Sequence, residues 1–337
     1  MAIELTEENC AAYLAARGES GGGKFRAREL GGGISNRVLW IESAGRRFVL
    51  KQSLDRLRVA DEWVADRSRI FREVDSLRDA ARILPAGAVP EVLWDDRPNY
   101  LFAMSAAEPE ARTWKDELLE GEFRPSTAAA VGALLGLLIR DTWGGPEFQQ
   151  RYGDLTTFHQ LRVDPYYRAI ARRHPDLAAP IQELIAESTA RQVCLVHGDW
   201  SPKNFLVRGD SAPMVIDFEV VHYGDPSFDT AFCINHFLLK CFRRPADTGR
   251  LIELALVFYT WAAGLLPPEA LGWFERATAR HLGCLLLARI DGKSPVEYLA
   301  EETVRERVRR TARRIILERP DDLGWCYQWV AEEVAPR

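Results

Sequence analysis

Short apolar runs at residues 193–196, 205–207 and 214–216 are rich in Val, Leu and Ile and predict buried strands. The second is followed by the turn Arg208-Gly209-Asp210-Ser211. Polar residues cluster at the ends of these runs: His197 and Asp199 after the first, Asn204 just before the second, Asp217 and Glu219 after the third. Upstream, residues 25–54 alternate and break as strand, glycine turn, strand, a turn at Ala44-Gly45, and strand. Residues 90–95 and 100–104 add two strands around a turn at Asp95-Asp96-Arg97-Pro98, making five. The helical spacing of Ile70, Val74, Leu77 and Ala81 predicts one long helix over residues 66–83. A short helix is expected over 4–17, with Thr6 as its cap and Glu8 in its first turn.

After residue 105 the pattern becomes mainly helical. Residues 126–143 form an Ala- and Leu-rich core helix, and 144–192 mix helix and loop around Pro146, Pro165, Pro175 and Pro180. Residues 230–290 read as three helices carrying Trp261 and Trp273, mostly core, with Pro267-Pro268 breaking one helix from the next. Asp291-Gly292 is a turn signal, and Ser294-Pro295 can cap a following helix. Arg305, Arg307, Arg309, Arg310, Arg313 and Arg314 surround an apolar stripe of Val304, Val308, Ala312 and Ile315. With glutamates interspersed, that is a solvated amphipathic helix rather than a nucleic-acid site.

Composition changes this picture little. The 337 residues are 47% apolar and 28% charged, as in ordinary globular proteins. A formal net charge of −5 argues against a general nucleic-acid binder, which needs a basic face. No apolar run approaches the ~20 residues of a membrane span. The start MAIELTEENC lacks the basic and apolar regions of a secretion signal, and the six scattered cysteines read as buried free thiols. A cytoplasmic location follows as the expectation, and a homodimer is allowed but not indicated.

The candidate chemistry sits at the strand ends. Asp199, Asn204, Asp217 and Glu219 make an all-oxygen set that suits Mg²⁺, which takes one or two carboxylates plus substrate phosphates. Asp and Asn also favour caps and turns, so each alone has a simpler account. Gly31, Gly32 and Gly33 allow close backbone approach to phosphates, with Ser35 and Asn36 adding donors. Lys51 ends the run 48–51 as the kinase strand lysine ends its own. Glu73 is its natural ion-pair partner, ahead of Glu62 and Asp75.

The spacing HGDWSPKN, then IDFE, then GDPSFD resembles the aminoglycoside phosphotransferase and choline kinase superfamily. The resemblance implies ATP and Mg²⁺ as cofactors and a hydroxyl-bearing small molecule as acceptor. It makes Asp199 the base, Asn204 and Asp217 the metal ligands, and Glu219 a further ligand or substrate contact. Gly32, Gly33, Ser35, Asn36 and Lys51 would hold phosphates, and the backbone of a hinge at 104–107, including Met104 and Ala106, would hold the adenine edge. Lids and acceptor-binding insertions in this superfamily often lie in segments such as 144–192, where Tyr166, Tyr167 and Arg168 either line one or belong to a packed surface helix. Trp200 beside the base, His222 after the metal strand and Arg289 are the acceptor candidates, with Lys293 near the last.

VLKQSLDRLRVADEW, TWKDELLEGEFRPSTAAAVGALLGLLI and DFEVVHYGDPSFDTAFCINHFLL are similar to methylthioribose kinases in particular. Those kinases carry a small residue in place of Asn204, Asp-Pro-Glu in place of 217–219, and a pair of substrate arginines. Here that pair reads Ala288-Arg289. The expected fold is therefore a protein-kinase-like two-lobe α+β architecture, with a small antiparallel-sheet N-lobe at 1–105 and a mainly helical C-lobe at 106–337. The expected function is ATP-dependent phosphorylation of a sugar or amino sugar. Methylthioribose kinase, aminoglycoside phosphotransferase and an inactive nucleotide-binding protein are the alternatives.

Overall fold

A computed structural model describes residues 3–19, 24–31, 36–43, 45–54, 66–209 and 212–335. Contacts divide the chain into two compact units, Met1–Ala111 with Met214–Glu219, and Arg112–Pro213 with Val220–Arg337. The break falls six residues later than the expected 105/106 boundary. The segment 214–219 also groups with the first unit, where the Val215 amide donates to the Ala88 carbonyl at 2.7 Å.

The first unit is built on one antiparallel sheet. Its strands are β1 (Phe25–Glu29), β2 (Asn36–Ser43), β3 (Arg46–Ser53), β4 (Val92–Asp96) and β5 (Leu101–Ser105), in the order β1-β2-β3-β5-β4. Alternation splits β3 between two faces. Phe48 and Leu50 join Leu39, Ile41, Leu101 and Ala103 in a core that also takes Cys10, Tyr13 and Leu14 from helix α1 (Cys10–Ala16). Lys51, one residue on from Leu50, faces the other way, in register with Val38 and Phe102. That face receives Glu73 from helix α2 (Arg69–Ile83).

Both helices start later than expected. The Asp66 carboxylate accepts from the Ser68 amide at 2.8 Å, an Asx turn that holds off α2. Thr6 and Asn9 exchange side-chain-to-amide bonds at 2.8 and 3.3 Å, so the first helical turn begins only at Cys10.

The second unit packs long helices around short strands. Cys194–Val196 pairs antiparallel with His222–Gly224, and Phe205–Val207 pairs with Arg112–Thr113. The helix Pro125–Thr142 lies tight on Thr248–Ala263 because Gly132 and Gly136 face it. A Cβ at Gly132 would stand 2.3 Å from the Phe258 carbonyl.

Two expectations for this half are corrected, and a third is narrowed to one of its two readings, a packed helix. Trp261 is 54% exposed rather than core. No helix follows Ser294-Pro295, and the next one is Glu302–Glu318. Residues His159–Arg168 form a wide-turn π-helical stretch with Pro165 inside it, and Tyr166 and Tyr167 are buried. The arginines of Glu302–Glu318 are engaged with carboxylates. Arg309 contacts Asp291, Glu302 and Glu306, Arg310 contacts Glu333, Arg313 contacts Asp176, and Arg314 contacts Glu318 and Glu332. All six cysteines are buried and free.

Candidate functional site

In the first unit, the Lys51 ammonium lies 2.7 Å from Glu73 and 2.6 Å from Asp217. Burial alone would lower Lys51, but Asp217, Glu73 and Glu219 overcome it and hold the lysine charged, above its ordinary value. Burial, with Asp217 and Glu219 nearby, drives Glu73 upward against the pull of Lys51. Glu73 also accepts from the Phe218 amide at 3.2 Å, which fixes the backbone just after Asp217. Asp217 itself has φ +72°, a left-handed conformation that Asp tolerates better than most residues. This turn buries Phe218 while the Asp217 side chain stays about a quarter exposed, at 24%.

Glu219 has a different set of neighbours. Its carboxylate accepts from Asn36 Nδ2 at 2.9 Å and from Arg69 Nε at 3.3 Å, and Arg69 is itself buried. Sequence reading missed Arg69. Its place at the first position of α2, one turn before Glu73, was the available signal.

In the second unit, Asp199 follows Gly198, whose φ of +77° lets the chain turn sharply after the strand Cys194–Val196. The Asp229 carboxylate holds that turn, accepting from the amides of His197 and Gly198 at 2.6 and 2.9 Å. Burial pushes Asp229 up to about 7, because a carboxylate deep in protein resists ionising. Asn204 closes the loop from the other side, donating through Nδ2 to the Asp199 carbonyl at 2.9 Å.

The Asp199 carboxylate is gripped by two cations, Arg162 Nη2 at 3.0 Å and Lys203 at 2.9 Å. Burial works to raise it, yet Lys203 and Arg162 prevail and hold it well below the usual carboxylate range. Arg162 also donates to the Gly198 carbonyl at 2.5 Å. Lys203 stands four residues from Asp199, a spacing readable in the sequence. Arg162, on the π-helical stretch 37 positions earlier, had no local signal.

The remaining expected residues are distributed as follows. Gly32, Gly33, Ser35 and the rival Glu62 lie outside the described residues. Asn36 is buried on Glu219 rather than presented at a loop tip. Met104 is inside β5, paired with Val49 on one side and Val92 on the other, so its backbone belongs to the sheet. Ala106 comes after the strand's last residue, Ser105.

Two acceptor candidates are corrected. Trp200 is 0% exposed, set against Phe205 at 5.1 Å and His197 at 5.5 Å, so its indole offers no face to a ligand. His222 is buried, stacked 4.0 Å from the Phe158 ring, with Nδ1 bonded to the Val220 carbonyl at 3.0 Å. Arg289 reaches Tyr166 OH at 3.2 Å and Ser294 Oγ at 2.8 Å.

No three His, Cys, Asp or Glu side chains are grouped to hold a metal among the described residues. A hard cation that also binds phosphates needs fewer protein ligands. Asp217 fits that need, being the partly exposed carboxylate of its cluster. Asn204 fits as well, since its bond to Asp199 uses Nδ2 and not the oxygen a cation takes. Glu219 fits less well, because Asn36 and Arg69 already occupy its carboxylate.

The model of the phosphotransferase enzyme family matches residues 26–240, well over half the chain, and the protein belongs to that family. A methylthioribose kinase of Pectobacterium carotovorum subsp. carotovorum is 27% identical over 248 residues, covering 64% of this chain and 60% of that one. The match thus spans less than two thirds of that relative. A methylthioribose kinase of Exiguobacterium sibiricum is 24% identical over 340 residues, covering 86% of each. An amicoumacin kinase solved with AMP-PNP and Ca²⁺ shares the fold, with a TM-score of 0.54, 14% identity, and coverage of 88% and 89%.

Proposed function

We propose that the protein is an ATP-dependent kinase that transfers the γ-phosphate to a hydroxyl of a sugar-sized molecule, with Mg²⁺ as the metal. The observation that carries this is the buried triangle of Lys51, Glu73 and Asp217, a cation fixed between two carboxylates with one of them part open to solvent. Lys51, steered by Glu73, contacts the nucleotide phosphates. Asp217 and Asn204 would hold Mg²⁺, which would supply positive charge to the nucleotide phosphates. Asp199 orients the acceptor hydroxyl and takes its proton. A carboxylate held well below the usual range is a weak base, so orientation is its larger contribution. Arg162 and Lys203 fix its rotamer.

The test is acceptor-dependent ADP release over a panel of polyols, sugars and their acids. Asp199→Asn is expected to lose roughly 10²–10⁴-fold in turnover while keeping its affinity for ATP. Turnover near wild type in that variant would remove Asp199 from the mechanism.

A second reading, methylthioribose kinase, is favoured by the names of the relatives. Against it, Ala288 stands beside Arg289 and is buried, so the arginine pair is absent. Methylthioribose is expected to be a poor acceptor. A kcat/KM above about 10⁴ M⁻¹s⁻¹, the lower end of ordinary enzymes, would install this second reading instead.

A further inference from the structure

Lys240 is 0% exposed on the helix Ser227–Arg243, and its ammonium donates to the His236 carbonyl at 3.3 Å. Among the described residues no carboxylate is ion-paired to it. Its ring neighbour is Tyr298, 5.4 Å away, whose hydroxyl is buried with no hydrogen-bond partner. Isolated buried cations are strongly disfavoured, and a buried hydroxyl without a partner adds to the deficit. An under-coordinated ammonium and a partnerless hydroxyl in one place call for a hydrogen-bond acceptor, an oxygen with lone pairs to share.

The same helix face leads back to the phosphoryl-transfer residues. Asp229, which anchors the loop before Asp199, is followed on that face by Phe232, His236 and Lys240 at near-helical spacing. Phe232 packs on Tyr166 at 5.8 Å and on the Arg162 guanidinium at 5.7 Å, and Arg162 holds Asp199. Tyr166 in turn touches Arg289, whose Nε is buried without a partner. A continuous wall therefore runs from Asp199 to Lys240 within the second unit, and cations dominate it.

The groups that act most strongly on Lys240 are on both its own helix and its neighbours. Burial first, with Lys115 and Arg289 beside it, brings the lysine down to about 7 against the opposite pull of Cys233 and Glu297. Glu297 is the carboxylate of this group, and it is already bound by Lys115. His236 is held well below its ordinary value by burial and by Lys240 and Arg289, so it stays neutral. Neither Lys240 nor Arg289 is ion-paired to a carboxylate among the described residues, so an arriving anion would favour the charged form of Lys240.

We propose that Lys240, Arg289 and Tyr298 form a receptor for an anionic group on the acceptor, which makes the substrate a hydroxy acid or a phosphorylated polyol rather than an amino sugar. This rests on the kinase reading above, because the hydroxyl end of the same molecule must meet Asp199. The anion pairs with the charged form of Lys240, and Tyr298 and the Arg289 Nε supply neutral and charged donors to its oxygens.

The experiment compares charge-matched acceptors in ADP release: glycerate with glycerol, gluconate with glucose, and ribose 5-phosphate with ribose, with kanamycin as the polycationic control. Turnover is expected only with anionic members, and the carboxylate and phosphate arms identify which anion is taken. Lys240→Met and Arg289→Gln should raise KM for the anionic acceptor by roughly 10- to 100-fold, as lost charged hydrogen bonds do, and leave KM for ATP unchanged. Equal or better turnover of a neutral or cationic member, or an unmoved KM in both variants, would overturn the proposal.

Calorimetric titration of the full chain with malonate and with inorganic phosphate, without nucleotide, separates this from the kinase reading. Binding by wild type that Lys240→Met abolishes supports the receptor even if ATP is never turned over. No binding by wild type, or binding that Lys240→Met leaves intact, rejects it even if the protein proves to be a kinase. Lys240→Met is suitable because an apolar chain of similar length in a buried site is often neutral or stabilising.

Discussion

The two polar clusters have opposite electrostatic character. In the first unit, three carboxylates, Glu73, Asp217 and Glu219, gather around Lys51 and Arg69. In the second, Asp199 is outnumbered by Arg162 and Lys203, and the wall beyond it adds Arg289 and Lys240. The first pushes one of its own carboxylates upward and so invites a metal cation. The second holds its carboxylate ionised and depresses a buried lysine, and so invites anions. A phosphoryl-transfer enzyme needs both characters, since metal-bound nucleotide must be held and negative charge on the transferred group must be met.

Breaking the balance of the first cluster has the largest expected effect. Arg69→Met takes a buried cationic partner from Glu219, and unfolding free energy is expected to fall by roughly 3–5 kcal/mol, as when one partner of a buried pair is removed. Denaturant titration measures it, and a loss under about 1 kcal/mol would mean that Arg69 is not the partner that holds Glu219 in place. Next is Lys51→Met, which removes a charged contact to phosphate and should raise KM for ATP by about 10- to 100-fold, alongside a loss of stability from freeing buried Glu73. If KM for ATP does not move, Lys51 is a structural counter-ion and nothing more.

In the second cluster, Gly198→Ala tests the turn that presents Asp199. A Cβ there would stand 2.7 Å from the Val220 carbonyl at φ +77°, a strain worth roughly 1–3 kcal/mol. Turnover should drop by more than thermal stability, and a change in stability with full activity would separate the turn from the chemistry. The smallest effect concerns pH. Lys240 is depressed to about 7 from an ordinary 10.5, so between these values the unfolded chain binds the proton and the folded one does not. Ligand-free stability should therefore gain from this residue as pH rises through that window, by no more than about 1.4 kcal/mol per pH unit. Lys240→Met should flatten that part of the profile, and an unchanged profile would show that the lysine keeps its proton.

The sequence revealed most about the segments where local pattern and chemistry coincide. The strand Phe205–Val207, the five-stranded sheet and the Lys51–Glu73 pair lie where alternation and spacing placed them. Trp200 and His222 were misread because neighbours along the chain do not reveal which way a side chain points. Trp200 directly follows Asp199, yet it turns into a core with Phe205. Arg162 was invisible for the opposite reason, since its partner Asp199 is close only in the fold. Lys240 sat in an apolar helix, where a lone lysine reads as an exposed residue. Only burial shows it to be uncompensated.

The division of labour between the clusters is tested most directly by measuring ATP affinity with and without Mg²⁺ in wild type, Asp199→Asn and Asp217→Ala. Asp199→Asn is predicted to bind ATP with the same Mg²⁺ enhancement as wild type, although it no longer turns over. Asp217→Ala is predicted to lose that enhancement. An Asp217→Ala protein that still binds ATP more tightly with Mg²⁺, or an Asp199→Asn protein that does not, would contradict the account.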